Sequence, residues 1–400
     1  MLKYTDIPED YKPLDPGIKK CFPASKDSLP EDIVMTTMPP TRILGDPHNR
    51  TEWIARNATM VKVLSTPGFP WPVPKPDRLS YVVKETEKMG KGVFATRNIR
   101  FGELIVAERP LIVVPANINI LKFDPPVHYT KEQQQRIILM EWEKKLEIVV
   151  EERMKEEDRK AFKELQNSHT EDGSGPIVGV IRTNGFGILG DFDKDDFAVT
   201  GSYSAIGKIG SRINHRYCFF SNSIHFFRSE IDDEYFFLDN SCMPNISCTF
   251  SSRSFSLQFT AVKDIKAGEQ LFYSYTPQEL SAQARQRYLA PYGIVCECYA
   301  CANATPESDR LHEEISQRIN HFIKLSDEWV KRPRHSLTEK ILEPVVELDK
   351  AIKKEGLETG NDYMLLFIVF HKVYMRLGLA AKAKKYEVEL LKVLALPRPN

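Results

Sequence analysis

One stretch decides how the fold of this 400-residue chain is interpreted: Gly268-Glu269-Gln270-Leu271-Phe272-Tyr273-Ser274-Tyr275. Glycine takes a positive φ in a turn at little cost, and the aromatic and polar residues after it alternate as in a strand. A buried tyrosine hydroxyl on such a strand either orients a small reacting group or satisfies a hydrogen bond of the core. The stretch predicts a strand beside a site, and both roles for its tyrosines stay open.

A glycine pair near the start of another strand forms the second notable stretch, Met89-Gly90-Lys91-Gly92-Val93-Phe94. Without a Cβ atom, the backbone at such positions can approach a ligand closely. The alternative is a tight turn without a ligand.

Three cysteines lie within six residues, as Cys296-x-Cys298-x-x-Cys301. Thiolates at this spacing favour a closed, tetrahedral zinc site, which requires a fourth ligand from elsewhere. Cys242 and Cys248 are the candidates upstream. The competing interpretation is three buried thiols without a metal.

Composition excludes several classes of protein. Lysine plus arginine equals aspartate plus glutamate at 55 each, so no overall basicity indicates nucleic acid or an anionic membrane surface. The first residues carry no apolar signal segment, and the longest apolar run, from Tyr363 to Phe370, is too short to span a bilayer. The clustered cysteines indicate metal ligation before disulfides. We therefore expect a protein of the cytoplasm or nucleus, without a membrane or direct nucleic-acid partner.

The pattern along the chain changes several times. Residues 1–78 are rich in proline and predict an irregular arm with one short helix from Arg50 to Leu64. Short apolar runs at 82–83, 92–95, 104–107 and 111–114 predict a β-meander. Helical periodicity marks an insert at 128–175, closed by Gly173-Ser174-Gly175-Pro176, and four helices near 309–331, 337–355, 361–378 and 380–394. A local echo relates Ile99-Arg100-Phe101-Gly102-Glu103 to Ile265-Lys266-Ala267-Gly268-Glu269, which suggests a core of small repeated sheets.

Together with Ser211-Arg212-Ile213-Asn214-His215 and Ser241-Cys242-Met243-Pro244-Asn245, these stretches resemble the SET-domain methyltransferases. The likeness is to their zinc-bearing SET-and-MYND-like branch found among fungal proteins, without the MYND finger. That family orders a G-x-G loop, R-[IL]-N-H-S-C-x-P-N, G-E-E-[IL]-x-x-x-Y and C-x-C-x-x-C. The resemblance implies an α+β fold of small sheets with a pseudo-knot, a helical insertion and an all-helical C-terminal region.

The resemblance also implies domains and partners. It places a SET domain at 79–295, a zinc segment at 296–304 and helices at 305–400. The expected cofactors are S-adenosylmethionine and one structural zinc ion, and the partner is a histone or non-histone protein substrate that presents a lysine. We expect a monomer.

By the same resemblance, three groups of residues receive roles. The cofactor would be bound by Gly90, Lys91, Gly92, Asn214, His215 and Tyr275. The catalytic group would comprise Tyr275, with Tyr292 and Phe186 in the wall of the lysine channel. The zinc ligands would be Cys242, Cys296, Cys298 and Cys301.

The motif that is contiguous in the family is interrupted here by residues 216–240. Removing Arg216 to Asn240 restores Asn-His-Ser-Cys-Met-Pro-Asn. Our hypothesis is a translated, unspliced intron; the alternative is a genuine surface insertion, since loop-closure entropy grows slowly with length. The interruption separates the cofactor-binding pair from Cys242, so we expect the 400-residue chain to bind the cofactor poorly.

Three functions therefore compete. The first is methylation of a protein lysine that uses S-adenosylmethionine. The second is a catalytically weak or inactive SET-like module whose zinc segment and C-terminal helices bind another protein. The third, a zinc-dependent nucleic-acid binder, lacks the basic patch that it would need.

Overall fold

A computed structural model describes the chain at residues 7–12, 19–20, 29–44, 46, 48, 50–86, 90–116, 125–189, 202–218, 244–276, 279–290, 295–296, 298–360 and 362–394. Only the backbone is described at 19–20, 189, 202, 215–218 and 274–275. Within these ranges the structure combines small β-sheets with α-helices and ends in an all-helical region, which confirms the α+β class.

The strands of the described ranges form four sheets. Their bounds are β1 Lys19–Lys20, β2 Ile33–Met38, β3 Thr51–Arg56, β4 Tyr81–Glu85, β5 Lys91–Ala95, β6 Leu104–Glu108, β7 Ile112–Pro115, β8 Phe186–Leu189, β9 Ser202–Ile206, β10 His215–Cys218, β11 Ile246–Ser251, β12 Ser256–Ala261 and β13 Tyr273–Tyr275. The largest sheet has the order β1-β2-β3-β7-β9-β8, and a second has the order β11-β12-β6. Two pairs complete the set, antiparallel β4-β5 and parallel β10-β13.

The predicted meander is wrong beyond its first hairpin. The strands lie where the apolar runs predicted them, but β6 pairs with β12 and β7 pairs with β3 and β9. A run of apolar residues indicates a strand and carries no information about its partner, because pairing depends on contacts between distant parts of the chain.

The irregular N-terminal arm is also wrong in part. Strands β2 and β3 pair in antiparallel register and join the same sheet as β7, so residues on both sides of position 78 share one sheet. The helix expected from Arg50 begins only at Asn57, because residues 51–56 form strand β3, in which Thr51 to Ala55 are buried. The division of the chain into domains at residue 78 stays a prediction.

The described residues also form α-helices. Their bounds are α1 Asn57–Leu64, α2 Lys131–Glu147, α3 Glu156–Lys163, α4 Pro176–Asn184, α5 Ala282–Leu289, α6 Tyr299–Ala302, α7 Pro306–Trp329, α8 Glu343–Glu355, α9 Tyr363–Leu377 and α10 Ala380–Leu394. The four C-terminal helices appear as predicted. The helical insert does not close at Gly173–Pro176, since Pro176 is the first residue of α4; proline's fixed φ suits that position.

Three large buried clusters support this arrangement among the described residues, beside a small one at Leu289, Cys296, Cys298 and Ala300. One packs strands of the small sheets around Trp53, Phe255 and Phe259, and contains Phe186 and Tyr273. A second lies between the large sheet and helices α2 and α4. The third is formed by the C-terminal helices alone. The candidate functional site lies at the edge of the first cluster, to which Phe186 and Tyr273 belong.

Candidate functional site

The turn before Gly92 is held closed by Thr86. Its backbone N–H and its Oγ1 hydroxyl both donate to the carbonyl oxygen of Gly90, at 2.7 and 2.8 Å. Gly90 has φ +60°, a left-handed conformation that glycine takes without a steric penalty, and a Cβ there would meet no atom within 4 Å. Lys91 follows as an exposed residue at the start of β5.

Gly92 lies in a polar cradle that a side chain would fill. A Cβ atom at this position would lie 2.5 Å from Gln270 Nε2 and 2.9 Å from Asn214 Nδ2. Both amide nitrogens are buried and have no hydrogen-bond partner among the described residues. Buried N–H groups without an acceptor are costly, so this cradle has the chemistry of a binding site.

The two ends of the interrupting segment return to the same strand. The carbonyl oxygen of Asn214 accepts from the Tyr273 N–H at 3.4 Å, and β10 continues parallel to β13. On the other side, Asn245 donates through Nδ2 to the carbonyl oxygen of Gln270 and accepts from the Phe272 N–H, at 2.8 and 2.7 Å. Asn245 thus holds the segment that carries Gln270 and leads into β13. Residues 219–243 lie outside the described part, and the proposed pseudo-knot includes some of them.

The predicted catalytic residues are only partly described. The backbone of Tyr275 lies at the end of β13, opposite Cys218, and its side chain and that of His215 lie outside the described part. Tyr292 is also outside it. Phe186 is buried at the start of β8, with its ring centroid 5.3 Å from that of Tyr273 and 5.2 Å from that of Phe259. The structure therefore brings Phe186 to the strand of Tyr275, and the channel role of these residues stays a prediction.

Glu108 is a positioning residue that the sequence analysis missed. Its buried carboxylate accepts from the backbone N–H of Gly210 at 2.6 Å and of Ile209 at 3.0 Å, and so holds the turn that leads into Asn214. Burial raises the pKa of this carboxyl, and the backbone donors offset only part of that effect. A Cβ on Gly207 would lie 2.3 Å from Oε1, so the glycines of residues 207–210 were the available signal.

The three cysteines of the predicted zinc site lie together. The ligand atoms of Cys296, Cys298 and Cys301 all lie within 4.8 Å of one another. Sulfurs about 2.3 Å from a tetrahedral zinc ion are about 3.8 Å apart, so this donor set fits zinc. Within the described residues, Cys248 is not part of the group. Cys242, the other candidate for the fourth ligand, lies outside them.

Helix α5 connects this cysteine segment to the C-terminal helices. Gln286 accepts from the Cys296 N–H at 3.1 Å. The fully buried Arg285 donates to the carbonyl oxygens of Leu280 and Ala300, at 2.6 and 3.3 Å, and to His312 Nδ1 on α7 at 2.9 Å. The sequence carries no signal for this role of Arg285, since an arginine in a polar helix is ordinarily solvated.

Known proteins are similar to this region. The SET domain family matches residues 90–276. The histone-lysine N-methyltransferase set5 of Schizosaccharomyces pombe is 26% identical over 223 residues, which are 56% of this chain and 50% of that protein. SET5 of Meyerozyma guilliermondii, with the same description, is 32% identical over 97 residues, 22% of this chain and 20% of that protein. The protein-lysine N-trimethyltransferase SMYD5 of Homo sapiens is 35% identical over 80 residues, 19% of each chain.

These alignments span half or less of the length of the relatives. Among solved structures, the Neurospora SET domain protein DIM-5, a histone lysine methyltransferase, is 14% identical and covers 50% of this chain and 54% of its own. Its TM-score of 0.23 is too low for the overlay to bear on the site. Within the described residues, no helix is both long and apolar enough to cross a membrane.

Proposed function

The chain carries a SET domain at residues 90–276 and is related to fungal SET5 and SMYD lysine methyltransferases, and from this premise we propose that it methylates a lysine of a protein with S-adenosylmethionine. The observation that carries the proposal is the pair of buried amide groups of Asn214 and Gln270 above Gly92. They lie beside the strand that ends in Tyr275, so a cofactor bound there would be close to the proposed catalytic tyrosine.

The cofactor, when bound, supplies an electrophilic methyl group on a sulfonium ion. Gly92 leaves room for it, while Asn214 and Gln270 offer hydrogen-bond donors to its polar groups. His215 and the backbone around Gly90 and Lys91 complete the proposed binding set.

The remaining residues act on the lysine. Aromatic side chains at Phe186 and Tyr292 would exclude water from the channel, which disfavours the ammonium form and leaves a neutral amine. The Tyr275 hydroxyl would align the reacting groups and is not required to act as a strong base. Most of the acceleration would come from positioning.

The zinc ion would have a structural role. Cys296, Cys298 and Cys301 with Cys242 would close a four-sulfur site, which leaves no position open for water. Such a site would tie the segment after residue 294 to the segment after the interruption, near the cofactor.

Transfer of a radiolabelled methyl group tests the proposal. The purified chain is incubated with labelled S-adenosylmethionine and a fungal lysate, and labelled proteins are identified by mass spectrometry. We expect label on lysine, lost in Tyr275→Phe and kept in Tyr288→Phe, whose ring is exposed on α5. Equal labelling by wild type and Tyr275→Phe would contradict the catalytic role.

The interruption requires a separate comparison. We expect a variant that lacks residues 216–240 to bind S-adenosylmethionine in calorimetric titrations more tightly than the 400-residue chain. Equal affinity would refute the effect of the segment. Transcript reads that run continuously through it in most messages would refute the intron hypothesis and favour a genuine insertion.

A catalytically weak or inactive interaction module is the alternative, and exposed apolar residues on the last two helices favour it. Met375 and Leu391 are each 55% exposed, and Val388 and Leu394 are exposed beside them. An intact, folded chain that binds a protein but transfers no label to any protein would support this alternative. The substrate protein, the monomeric state and a nuclear or cytoplasmic location stay predictions.

A further inference from the structure

The side-chain amide nitrogens of Asn214 and Gln270 both lie close to Gly92, on the side where a side chain would project. Both nitrogens lie within 2.9 Å of the position that a Cβ on Gly92 would occupy. Both are buried, and the described residues supply neither with a hydrogen-bond acceptor. The described residues therefore leave two amide donors unpaired beside Gly92.

Hydrogen bonds fix the backbone at and after Gln270. Its carbonyl oxygen accepts from Asn245 Nδ2 at 2.8 Å, and it forms an antiparallel bridge with Phe94. The next residue, Leu271, donates its N–H to the Val93 carbonyl oxygen at 2.7 Å. These contacts fix the backbone from which the Gln270 side chain extends beside Gly92.

Two buried donors close together favour a particular kind of acceptor. An unpaired N–H is costly when buried, so a ligand that pairs with both donors gains from relieving that cost. A carboxylate has two acceptor oxygens and no hydrogen to donate. Its charge-assisted hydrogen bonds are stronger than those of a neutral acceptor. Among the polar groups of a cofactor that contains an amino acid, the carboxylate matches this cradle best.

We infer that Gln270 is a positioning residue that binds the carboxylate of S-adenosylmethionine together with Asn214, an assignment that rests on the proposed function. Gln270 thereby contributes to the selectivity of the site for this cofactor, because it contacts the carboxylate of the ligand and not the methyl group. Its substitution should therefore weaken the binding of S-adenosylmethionine.

Paired ligands provide the test. Calorimetric titrations compare S-adenosylmethionine with its decarboxylated analogue, which retains the sulfonium and the adenosine. For Gln270→Leu we expect affinity for S-adenosylmethionine to fall about ten-fold or more, the range for a hydrogen bond to a charged group, and affinity for the analogue to stay unchanged. The control is Gln258→Leu, a half-buried glutamine on β12, which should alter neither affinity.

The outcomes distinguish a failure of the role of Gln270 from a failure of the proposed function. Equal weakening for both ligands, or no weakening for either, would overturn the role of Gln270. A wild-type chain that binds no S-adenosylmethionine would overturn the proposed function and the assignment with it. Gln270→Met is the second variant, with circular dichroism as the check that each protein is folded.

Discussion

Ile99 and Ile265 exchange both of their backbone hydrogen bonds, each N–H donating to the other's carbonyl oxygen at 2.8 Å. The exchange is the centre of a pseudo-two-fold arrangement. Gly102 donates to the Ala261 carbonyl oxygen and Gly268 donates to that of Ala95, both at 2.8 Å. The two similar glycine turns of the sequence therefore pack against each other, and one of them leads directly into the segment that carries Gln270 and continues into β13.

The side chains next to the two isoleucines repeat this symmetry and give the first prediction. Asp264 Oδ1 accepts from the Phe101 N–H at 2.8 Å, and Asn98 Oδ1 accepts from the Ala267 N–H at 2.9 Å. Asp264→Ala should lower the free energy of unfolding by about 1 kcal/mol, measured with urea, because one turn loses its acceptor. Asp264→Asn keeps an acceptor oxygen and should cost less. Equal stability of the two variants would contradict the proposed role.

The relation of the two turns shows what the sequence could predict. Glycine before Glu103 and before Glu269 signals a local turn, and both turns have positive φ, +81° at Gly102 and +86° at Gly268. Their mutual packing joins segments 166 residues apart, so no local pattern could predict it. The same limit applies to the site. Glycines and cysteines marked Gly92 and the zinc segment, whereas Glu108 and Arg285 act through burial, which only the tertiary structure determines.

The buried carboxyl of Glu108 gives a pH-dependent prediction. Burial raises its pKa in the folded state above the unfolded value, so the folded chain retains this proton as pH rises while the unfolded chain loses it. The resulting contribution to stability is fully present below the unfolded pKa, near 4.3, and is lost as pH rises through the folded pKa. Glu108→Gln has no such proton. We expect the Tm of wild type relative to Glu108→Gln to fall as pH rises from about 4; a constant difference would contradict this.

Arg285 should be essential for the contact between the cysteine segment and the C-terminal helices. Arg285→Leu leaves the carbonyl oxygens of Leu280 and Ala300 without their donor in a buried setting. We expect a loss of about 3 kcal/mol or more in the free energy of unfolding. Arg287→Leu is the control, because this arginine is exposed on the same helix. Similar losses in both variants would show that the buried guanidinium has no special role.

Metal content tests the cysteine cluster and identifies its fourth ligand. We expect one zinc ion per chain by elemental analysis, and a loss of that zinc in Cys298→Ser because one thiolate of the cluster is removed. Cys242→Ser should lose zinc as well, whereas Cys248→Ser should retain it. Cys248 lies on β11 outside the cluster, so zinc loss in Cys248→Ser alone would reverse the assignment of the fourth ligand.

The two glycines of the G-x-G turn should respond to alanine in opposite ways. In Gly92→Ala the new methyl group would meet the amides of Gln270 and Asn214 at 2.5 and 2.9 Å, so it occupies the cradle proposed for the cofactor. We expect S-adenosylmethionine binding to become undetectable by calorimetry. Gly90→Ala places its methyl group in open space but in a left-handed conformation, so it should cost about 1 kcal/mol of stability and little affinity. If Gly92→Ala bound the cofactor as tightly as Gly90→Ala does, the cofactor would have to bind elsewhere on the chain.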